Sequence, residues 1–267
     1  MTFKKSLLIS FLSFSGIIVG CGGSSGPEAP QAPIVLTSEN AIPIANAAVV
    51  YAEIGSSVTG AEANIPQAKK ALDTIVNIAF DKNRQIPSVV QGITTSIGCG
   101  PDGTSGSTEF NGTGDTMDVL IGSNEGTITF NNCVEFGITI NGSFSIASSW
   151  NGTTGEYSNS GSGNMSLSAE GISFSMGLDY TGNGNDITGA FSNDFAFSIF
   201  SPQFPGFTAE TTQSLTGFYG TIEAGTILVT GGNNTYLEII FTGSGWADVY
   251  LDSGDGFPIL QDAIYTY

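Results

Sequence analysis

Apolar and small polar side chains alternate with a period of two residues through much of residues 93–267. The segment ISFSMGL at 172–178 is the clearest example, and the segments around Phe144 and Phe195 repeat the pattern. Successive side chains of a β-strand point to opposite faces, so this period predicts strands with one buried and one solvated face. The chain is 40% hydrophobic over 267 residues, which is enough for a single large core.

Asn-Gly dipeptides at 111–112, 141–142, 151–152 and 183–184 separate the alternating segments. Asn-Gly is typical of two-residue type I′ hairpin turns, because both central residues of that turn adopt positive φ. Strands that are joined by tight hairpins are antiparallel neighbours in a sheet. We therefore predict a mainly β fold: an antiparallel meander of about nine to twelve strands, curved into a half-barrel or a barrel, with one or two N-terminal helices.

The residues that precede the alternating region have a helical period instead. Ser38 is a candidate cap of a first helix that has Pro43 in or near its opening turns. Apolar side chains at 45, 48, 49 and 52 share one face of this helix, and a second helix is predicted after Pro66. The predicted organisation is one domain at 34–267, with a helical segment at 34–92 and a β-meander at 93–267.

The charges are distributed unevenly along the chain. All six basic residues and six of the 24 acidic residues lie within residues 1–84, so the formal net charge of −18 belongs to residues 85–267. A surface of this sign repels phosphate backbones, which excludes nucleic-acid binding, whereas cations and basic partners are compatible with it. The alternative is that the acidity only keeps a Gly/Ser-rich sheet soluble.

The chain contains no histidine. This absence removes the Ser/His/Asp triad, the Cys/His pair and the imidazole metal site. Serine is abundant, but no lysine or histidine follows residue 84 to activate it as a nucleophile. The sequence therefore predicts a protein without a catalytic site and without a cofactor.

Two acidic segments are candidates for a Ca²⁺ site. Asp252, Asp255 and Gly256 lie in one of them, but the intervening residues break the alternation of ligands that an EF-hand loop requires. The segment GNGND at 182–186 is similar to one repeat of a calcium β-roll, yet no array of repeats follows it. We interpret both segments as turns and predict no metal site.

A pair of carboxylates beside a tryptophan is the remaining catalytic candidate, because glycoside hydrolysis needs two acids and no histidine. Trp246 and Asp248 lie two residues apart on the same face of a predicted strand, and Trp150 is the other candidate for a sugar platform. With only two tryptophans in the chain, we expect both to fill the core instead.

The N-terminus has the composition of a bacterial export signal. Lys4 and Lys5 precede an apolar stretch at 7–19, which is too short to span a bilayer as a helix but matches the apolar region of a signal peptide. The tetrapeptide IVGC at 18–21 resembles a lipobox, which is cleaved before a cysteine that carries a diacylglycerol.

The lipobox resemblance implies a signal peptide at 1–20 and a lipidated Cys21. Several acyl chains, such as palmitate, on one residue form a durable membrane anchor. Gly22 is not the aspartate that retains many lipoproteins in the inner membrane, so the resemblance implies delivery to the outer membrane of a Gram-negative bacterium. Residues 21–33, rich in Gly, Ser and Pro, are then a tether between the anchor and the domain.

Two cysteines remain when Cys21 carries the lipid. Cys99 and Cys133 are 34 residues apart in a chain that is exported, where disulfides persist. A redox-active or metal-binding pair would have CxxC spacing or a basic neighbour, and these two cysteines have neither. We predict a disulfide between Cys99 and Cys133.

Three further features are shared with one group of proteins. They are the segment 37–41 that opens a helix, the spaced cysteines followed by Asn141-Gly142, and the tail from Gly225 to Gly256. Together they resemble a group of uncharacterised proteobacterial lipoproteins with Gly/Ser-rich β-domains. No activity accompanies this resemblance.

These observations predict a membrane-anchored lipoprotein with a non-enzymatic binding, structural or surface-interaction role in the cell envelope. Its expected partners are the membrane, through Cys21, and an envelope protein or an apolar ligand. The first alternative is a carrier, in which a half-barrel holds a lipid-like ligand and the helices close its mouth. A transmembrane β-barrel is less favoured because most alternating runs last only about four to seven residues. A carboxylate-based glycosidase is also less favoured than the binding protein or the carrier.

Overall fold

The computed structural model describes residues 31–57, 89–99, 106–114, 120–135, 138–169, 172–202 and 205–265. These residues contain one α-helix, α1 (Ala41–Ser57), and twelve β-strands. The strands are β1 (Val89–Gly98), β2 (Ser107–Gly114), β3 (Ile121–Glu135), β4 (Ile138–Asn151), β5 (Glu156–Ala169), β6 (Ile172–Asn185), β7 (Ala190–Phe200), β8 (Phe207–Phe218), β9 (Thr221–Thr230), β10 (Tyr236–Gly243), β11 (Trp246–Asp252) and β12 (Ile259–Tyr265). The second predicted helix, after Pro66, lies outside the described residues, and residues 89–92 belong to a strand. No helix within the described residues is both long enough and apolar enough to cross a bilayer.

The helix α1 begins directly after an Asn-capped turn. The carbonyl of Asn40 accepts the first helical hydrogen bond from the N–H of Ile44 (3.1 Å). Pro43 lies in the first turn of α1, where a missing N–H removes no helical bond. The cap is therefore Asn40 rather than Ser38, because the chain makes a separate turn over residues 38–40 before the helix starts.

All twelve strands form one antiparallel sheet in which each strand pairs with its neighbours in the chain. The predicted mainly β meander is confirmed, and its twelve strands are at the upper limit of the predicted number. Among the described strands, β1 and β12 are the two edges, so the sheet is open and the closed-barrel alternative is wrong. The helix α1 contacts β6, β7 and β9–β12, and the sheet curves around it.

One face of the sheet, here called the inner face, carries the apolar side chains. In β7 the side chains at odd positions from 191 to 199 are buried, and those between them are more exposed, as the period of two predicts. The helix α1 adds Ala45, Ala48 and Val49 to the same core, the face that the sequence assigns to it. The largest fully buried side chains are Phe130, Phe144, Leu36, Ile44, Ile128, Ile140, Leu215, Ile222, Ile227 and Leu237.

The turns of a meander alternate between its two ends, which have different roles here. We call the end with the β7–β8 and β9–β10 turns the near end. There Ile34 joins these two turns: its N–H donates to the carbonyl of Gly206 (2.8 Å), and its carbonyl accepts from the N–H of Gly232 (2.7 Å). The far end carries the β4–β5, β6–β7, β8–β9 and β10–β11 turns. Strands β4, β5 and β6 have 14 residues each, so the two ends lie about 45 Å apart.

The prediction that the Asn-Gly dipeptides form hairpin turns is wrong for three of the four dipeptides. The dipeptides at 111–112, 141–142 and 183–184 lie inside β2, β4 and β6, and 151–152 opens a longer turn. The strands are twice as long as the short alternating runs suggest, because Gly, Ser and Asn continue the sheet between the apolar positions. A local turn preference is therefore overridden by pairing along the whole strand.

A disulfide joins Cys99 and Cys133, as the sequence predicts, with an S–S distance of 2.06 Å and 5.3 Å between the Cα atoms. Cys99 follows β1 and Cys133 lies in β3, so the bond joins the end of β1 to β3 at the near end, where β2 begins. Both cysteines are buried. The first three strands are therefore linked covalently as well as by hydrogen bonds.

Replacing both cysteines by alanine tests the contribution of this bond to stability. The bridge closes a loop of 34 residues, so its loss should lower the free energy of unfolding by about 3 to 4 kcal/mol. Urea unfolding of the purified full chain measures this difference. The reduced wild type is the control and should show a similar loss. Equal midpoints for oxidised wild type and double variant would contradict the expectation.

Candidate functional site

The structure separates most of the residues that the sequence singles out. Cys21 and most of the tether lie outside the described residues. The disulfide and the loop that starts at Asp252 both lie at the near end, whereas Trp246 lies at the far end. Trp150 is partly buried in β4, opposite Tyr157 of β5. Among these candidates, Trp246 and Asp248 alone belong to one surface.

Two turns at the far end have the same sequence pattern and the same hydrogen bonds. The segments Asn151–Gly155 and Asn185–Gly189 both have the pattern Asn-x-x-Thr-Gly. In each turn the Asn Oδ1 accepts hydrogen bonds from the backbone N–H groups two and three residues later, at 2.9 to 3.2 Å. The closing glycine has a φ of 74° or 72°, which a residue with a side chain rarely adopts. The prediction of hairpin dipeptides overlooks this pattern, although its recurrence after 34 residues identifies it.

Backbone hydrogen bonds join successive far-end turns into one surface. The donor and acceptor pairs are Gly152 to Leu120 (2.6 Å), Asp186 to Gly155 (2.8 Å), Tyr219 to Gly189 (2.8 Å) and Gly245 to Ile222 (3.2 Å). We call this surface the turn ridge; it consists of residues 120–121, 152–155, 186–189, 218–220, 244–246 and 265. The ridge crosses the sheet from β3 to β12, so its turns are held in fixed positions relative to one another.

Large hydrophobic side chains are exposed along the turn ridge. Seven of the eleven such side chains in the described residues belong to it. They are Leu120, Ile121, Ile187, Phe218, Tyr219, Trp246 and Tyr265. Single exposed hydrophobic residues are ordinary, but a group on one surface indicates a site of interaction.

Tyr219 occupies an unfavourable backbone conformation at the ridge. Tyr219-Gly220 and Ser244-Gly245 are the two-residue turns, and all four residues have positive φ, 50° for Tyr219 and 53° for Ser244. A bulky residue in this region costs about 1 to 2 kcal/mol. The Tyr219 side chain is 76% exposed, so burial does not offset that cost. Strain retained at an exposed aromatic residue indicates a role outside the folding of the sheet.

Trp246 and Tyr265 form an exposed aromatic pair. They are cross-strand partners in β11 and β12, with ring centroids 5.0 Å apart and planes tilted by 58°. Each side chain is 48% exposed, so the expectation that both tryptophans fill the core is wrong for Trp246. The inward positions of β11 are taken by Ala247 and Val249, which are buried, and Trp246 lies on the opposite face.

Carboxylates surround this aromatic pair. Asp248 lies on the same face of β11, two residues from Trp246. The Glu223 Oε2 accepts a hydrogen bond from the N–H of Ser244 (2.9 Å) and therefore lies beside the turn that precedes Trp246. Residues 85–267 contain no lysine, arginine or histidine. Among the described residues, the charged side chains beside the pair are therefore all acidic.

Asp252 closes the loop between β11 and β12 at the near end. Its Oδ1 accepts hydrogen bonds from three backbone N–H groups, those of Gly254 (2.7 Å), Asp255 (3.0 Å) and Gly256 (3.1 Å). Burial acts to raise the pKa of Asp252, but the Tyr236 hydroxyl and these N–H groups outweigh burial and lower it below the ordinary 3.8. The other oxygen, Oδ2, is buried and has no hydrogen-bond partner among the described residues.

Neither Ca²⁺ candidate has a metal-binding arrangement. In the first, Oδ1 of Asp252 already accepts three N–H groups of its own turn. The second segment, 182–186, is the end of β6 and the start of a far-end turn. Within the described parts of the chain, no three His, Cys, Asp or Glu side chains come together to hold a metal ion.

A polar groove of about 620 Å³ lies on strands β2 to β6. Its lining consists of Gly, Ala and residues with hydroxyl or amide side chains, with Glu125 as the charged exception. Asn124, Ser148 and Asn159 are successive cross-strand partners within it, and the hydroxyl of Ser148 donates to Asn124. The groove offers hydrogen bonds, and Glu125 is the single ionisable side chain in its lining, so it holds no acid–base pair.

Apolar side chains of the inner face pack against one another and against α1. Phe144 and Tyr180 stack with ring centroids 6.1 Å apart, and burial raises the pKa of Tyr180 well above its ordinary value. Around α1, Ile227, Val229 and Leu237 are fully buried. Among the described residues, the inner face around α1 is therefore a packed core.

Comparison with known proteins gives no match. No protein-family model, no curated protein and no solved structure matches the chain.

Replacing Asn185 by alanine tests the Asn-x-x-Thr-Gly turn. The variant loses two hydrogen bonds that Oδ1 accepts and one that Nδ2 donates to Thr154, so unfolding free energy should fall by about 1 to 3 kcal/mol. Asn183→Ala is the matched control, because Asn183 is exposed within β6 and should change stability by less than about 0.5 kcal/mol. Equal effects of the two substitutions in urea unfolding would contradict this assignment.

The lowered pKa of Asp252 predicts a dependence of stability on pH. A carboxyl group whose pKa is lower in the folded state stabilises the fold above its ordinary value of 3.8, and this contribution is lost as the pH falls below it. Asp252→Asn should therefore unfold at lower urea concentration at neutral pH and lose less stability on acidification. Asp255→Asn, an equal change of charge on an exposed neighbour, should keep the wild-type profile. Parallel profiles for Asp252→Asn and wild type would refute the linkage.

Proposed function

We propose that this protein is a lipid-anchored binding protein of the bacterial cell envelope, tethered at its near end and binding a partner through the turn ridge at its far end. The observation that carries the proposal is the difference between the two ends of the sheet. Residues 31–36 join the sheet at the near end, and seven exposed hydrophobic side chains lie on the ridge at the opposite end.

The sequence before residue 31 supplies the other half of the proposal. Nine residues, 22–30, separate a lipidated Cys21 from Gln31, the first residue that bonds to the sheet, and they would span at most about 32 Å when extended. The chain enters the domain at the near end, so the near end faces the membrane. The far end then points away from it, about 45 Å further out.

The charge of the domain is compatible with this orientation. An acidic sheet without basic residues is repelled by anionic headgroups. It therefore has no electrostatic tendency to lie flat on a membrane, and the lipid alone holds it there. The ridge remains accessible to a partner.

The proposal favours binding over catalysis because of the groups that the ridge presents. Its side chains are aliphatic, aromatic, hydroxyl and amide groups, with carboxylates beside them. The chain has no histidine, and residues 85–267 have no lysine or arginine, so the ridge has no basic side chain of its own to act with a serine or a carboxylate. Such a surface recognises a partner through shape, apolar contact and charge.

Fluorophores at the two ends test the proposed orientation. Asp186→Cys labels the far end and Ser253→Cys labels the near end, and both positions are exposed. The full-length protein is bound to vesicles whose lipid headgroups carry an acceptor dye. Resonance energy transfer to this acceptor should be strong from a donor at residue 253 and weak from a donor at residue 186. Strong transfer from residue 186 would contradict the orientation.

Palmitate labelling in cells tests the anchor separately. Wild-type protein should incorporate radiolabelled palmitate and Cys21→Ala should not. The double variant Cys99→Ala/Cys133→Ala is the control and should be labelled like wild type, because those cysteines form the disulfide. Labelling of Cys21→Ala at the wild-type level would refute the lipid anchor.

A further inference from the structure

The Trp246–Tyr265 pair presents a fixed aromatic surface. Tyr265 packs against the indole ring, and the Thr242 Oγ1 donates to the Trp246 carbonyl (3.3 Å). The pair is held by two hydrogen-bonded strands, β11 and β12. A ligand that stacks on this surface would therefore order few side chains on binding, which limits the entropy that it loses.

The electrostatics of this surface favour a cation. The face of an aromatic ring carries negative charge density and attracts a cationic group placed over it. Asp248 and Glu223 add carboxylates beside the pair, and no basic residue of residues 85–267 competes for them. An anionic ligand is repelled here, and a neutral ligand gains stacking without any gain from the charge.

The neighbouring part of the turn ridge adds apolar contacts. The turn that precedes Trp246 is bonded to the start of β9 through Gly245 and Ile222 (3.2 Å). Phe218 and Tyr219, which are 55% and 76% exposed, flank the turn at that same end of β9. A partner that places a cationic group on Trp246 can therefore place apolar side chains against these rings.

We propose that the Trp246–Tyr265 pair binds a lysine- or arginine-bearing segment of a partner protein, with the cationic group over the indole and the adjacent apolar side chains against Phe218 and Tyr219. This inference rests on the proposed function and deepens it by naming the chemistry of the partner. Charge complementarity selects this occupant over a neutral glycan, which is the other ligand that stacks on exposed aromatic rings.

Binding of a model peptide to the purified full-length protein tests the proposal. The probe is a dye-labelled peptide of three lysine–leucine–glycine–lysine repeats, and fluorescence anisotropy at physiological salt gives its Kd. Trp246→Leu removes the aromatic face but keeps an apolar side chain, and it should weaken binding about 5- to 30-fold. Trp246→Phe should retain most of the affinity.

Two matched variants distinguish this site from general attraction to an acidic protein. Phe257→Ala removes an aromatic side chain that is 74% exposed at the near end, and it should leave Kd unchanged. Asp248→Asn should weaken binding about 2- to 5-fold, whereas Asp186→Asn, the same loss of charge elsewhere on the ridge, should have a smaller effect. Urea unfolding establishes that each variant is folded.

Modified peptides identify the interaction. Trimethylation of the lysines keeps the positive charge and should retain binding, and acetylation removes the charge and should abolish it. Equal Kd values for Trp246→Leu and wild type would overturn the proposal, as would equal binding of the acetylated peptide. Binding of a soluble neutral β-glucan that depends on Trp246, without binding of the lysine peptide, would assign the pair to a glycan instead.

The test separates this inference from the proposed function. Absence of peptide binding in a protein that incorporates palmitate at Cys21 would overturn the partner chemistry and leave the anchored protein intact. Binding of the peptide by a protein that is not labelled with palmitate would overturn the anchor and leave the cationic site intact.

Discussion

Burial of the inner face is the interaction on which the rest of this structure depends. Ile227, Val229 and Leu237 are fully buried around α1, and the same face is buried in β3 to β7. A strand that slipped by one residue would turn its whole apolar set to solvent, so the core determines the register of every hairpin. The turns then need only to close strands whose pairing is already decided, which explains why residues as unfavourable as Tyr219 are tolerated in them.

The absence of basic residues shapes the turns as well as the surface. A sheet without lysine or arginine cannot use ion pairs to hold its loops. Its loops are held instead by short side chains that accept backbone N–H groups: Asn151, Asn185 and Asp252 each accept two or three. The remaining carboxylates have no internal counter-charge within residues 85–267, and their mutual repulsion favours a state in which a cationic group lies among them.

The sheet was predictable because the alternation of apolar and polar residues is repeated along the chain. The candidate site depends instead on the position of a few individual side chains. The alternation around Phe195 recurs in many strands and indicates the meander. The spacing of Trp246 and Asp248 was sufficient to place them on one face of a strand. Their exposure was not predictable, since it depends on which face of β11 meets the core. The pairing of Tyr265 with Trp246 depends on a strand register that is interrupted by a bulge between Val249 and Tyr250. Such an irregularity has no local sequence signal.

The two ends of the sheet divide stability and recognition between them. The near end carries the Cys99–Cys133 disulfide, the buried Asp252 turn and the hydrogen bonds of residues 31–36. The far end carries the strained Tyr219 and the exposed Trp246. Strain and exposed apolar surface persist only where the surrounding structure offsets them. The long strands connect both ends in one cooperative sheet, so the near end helps to stabilise a far end at which Trp246 stays exposed to a partner.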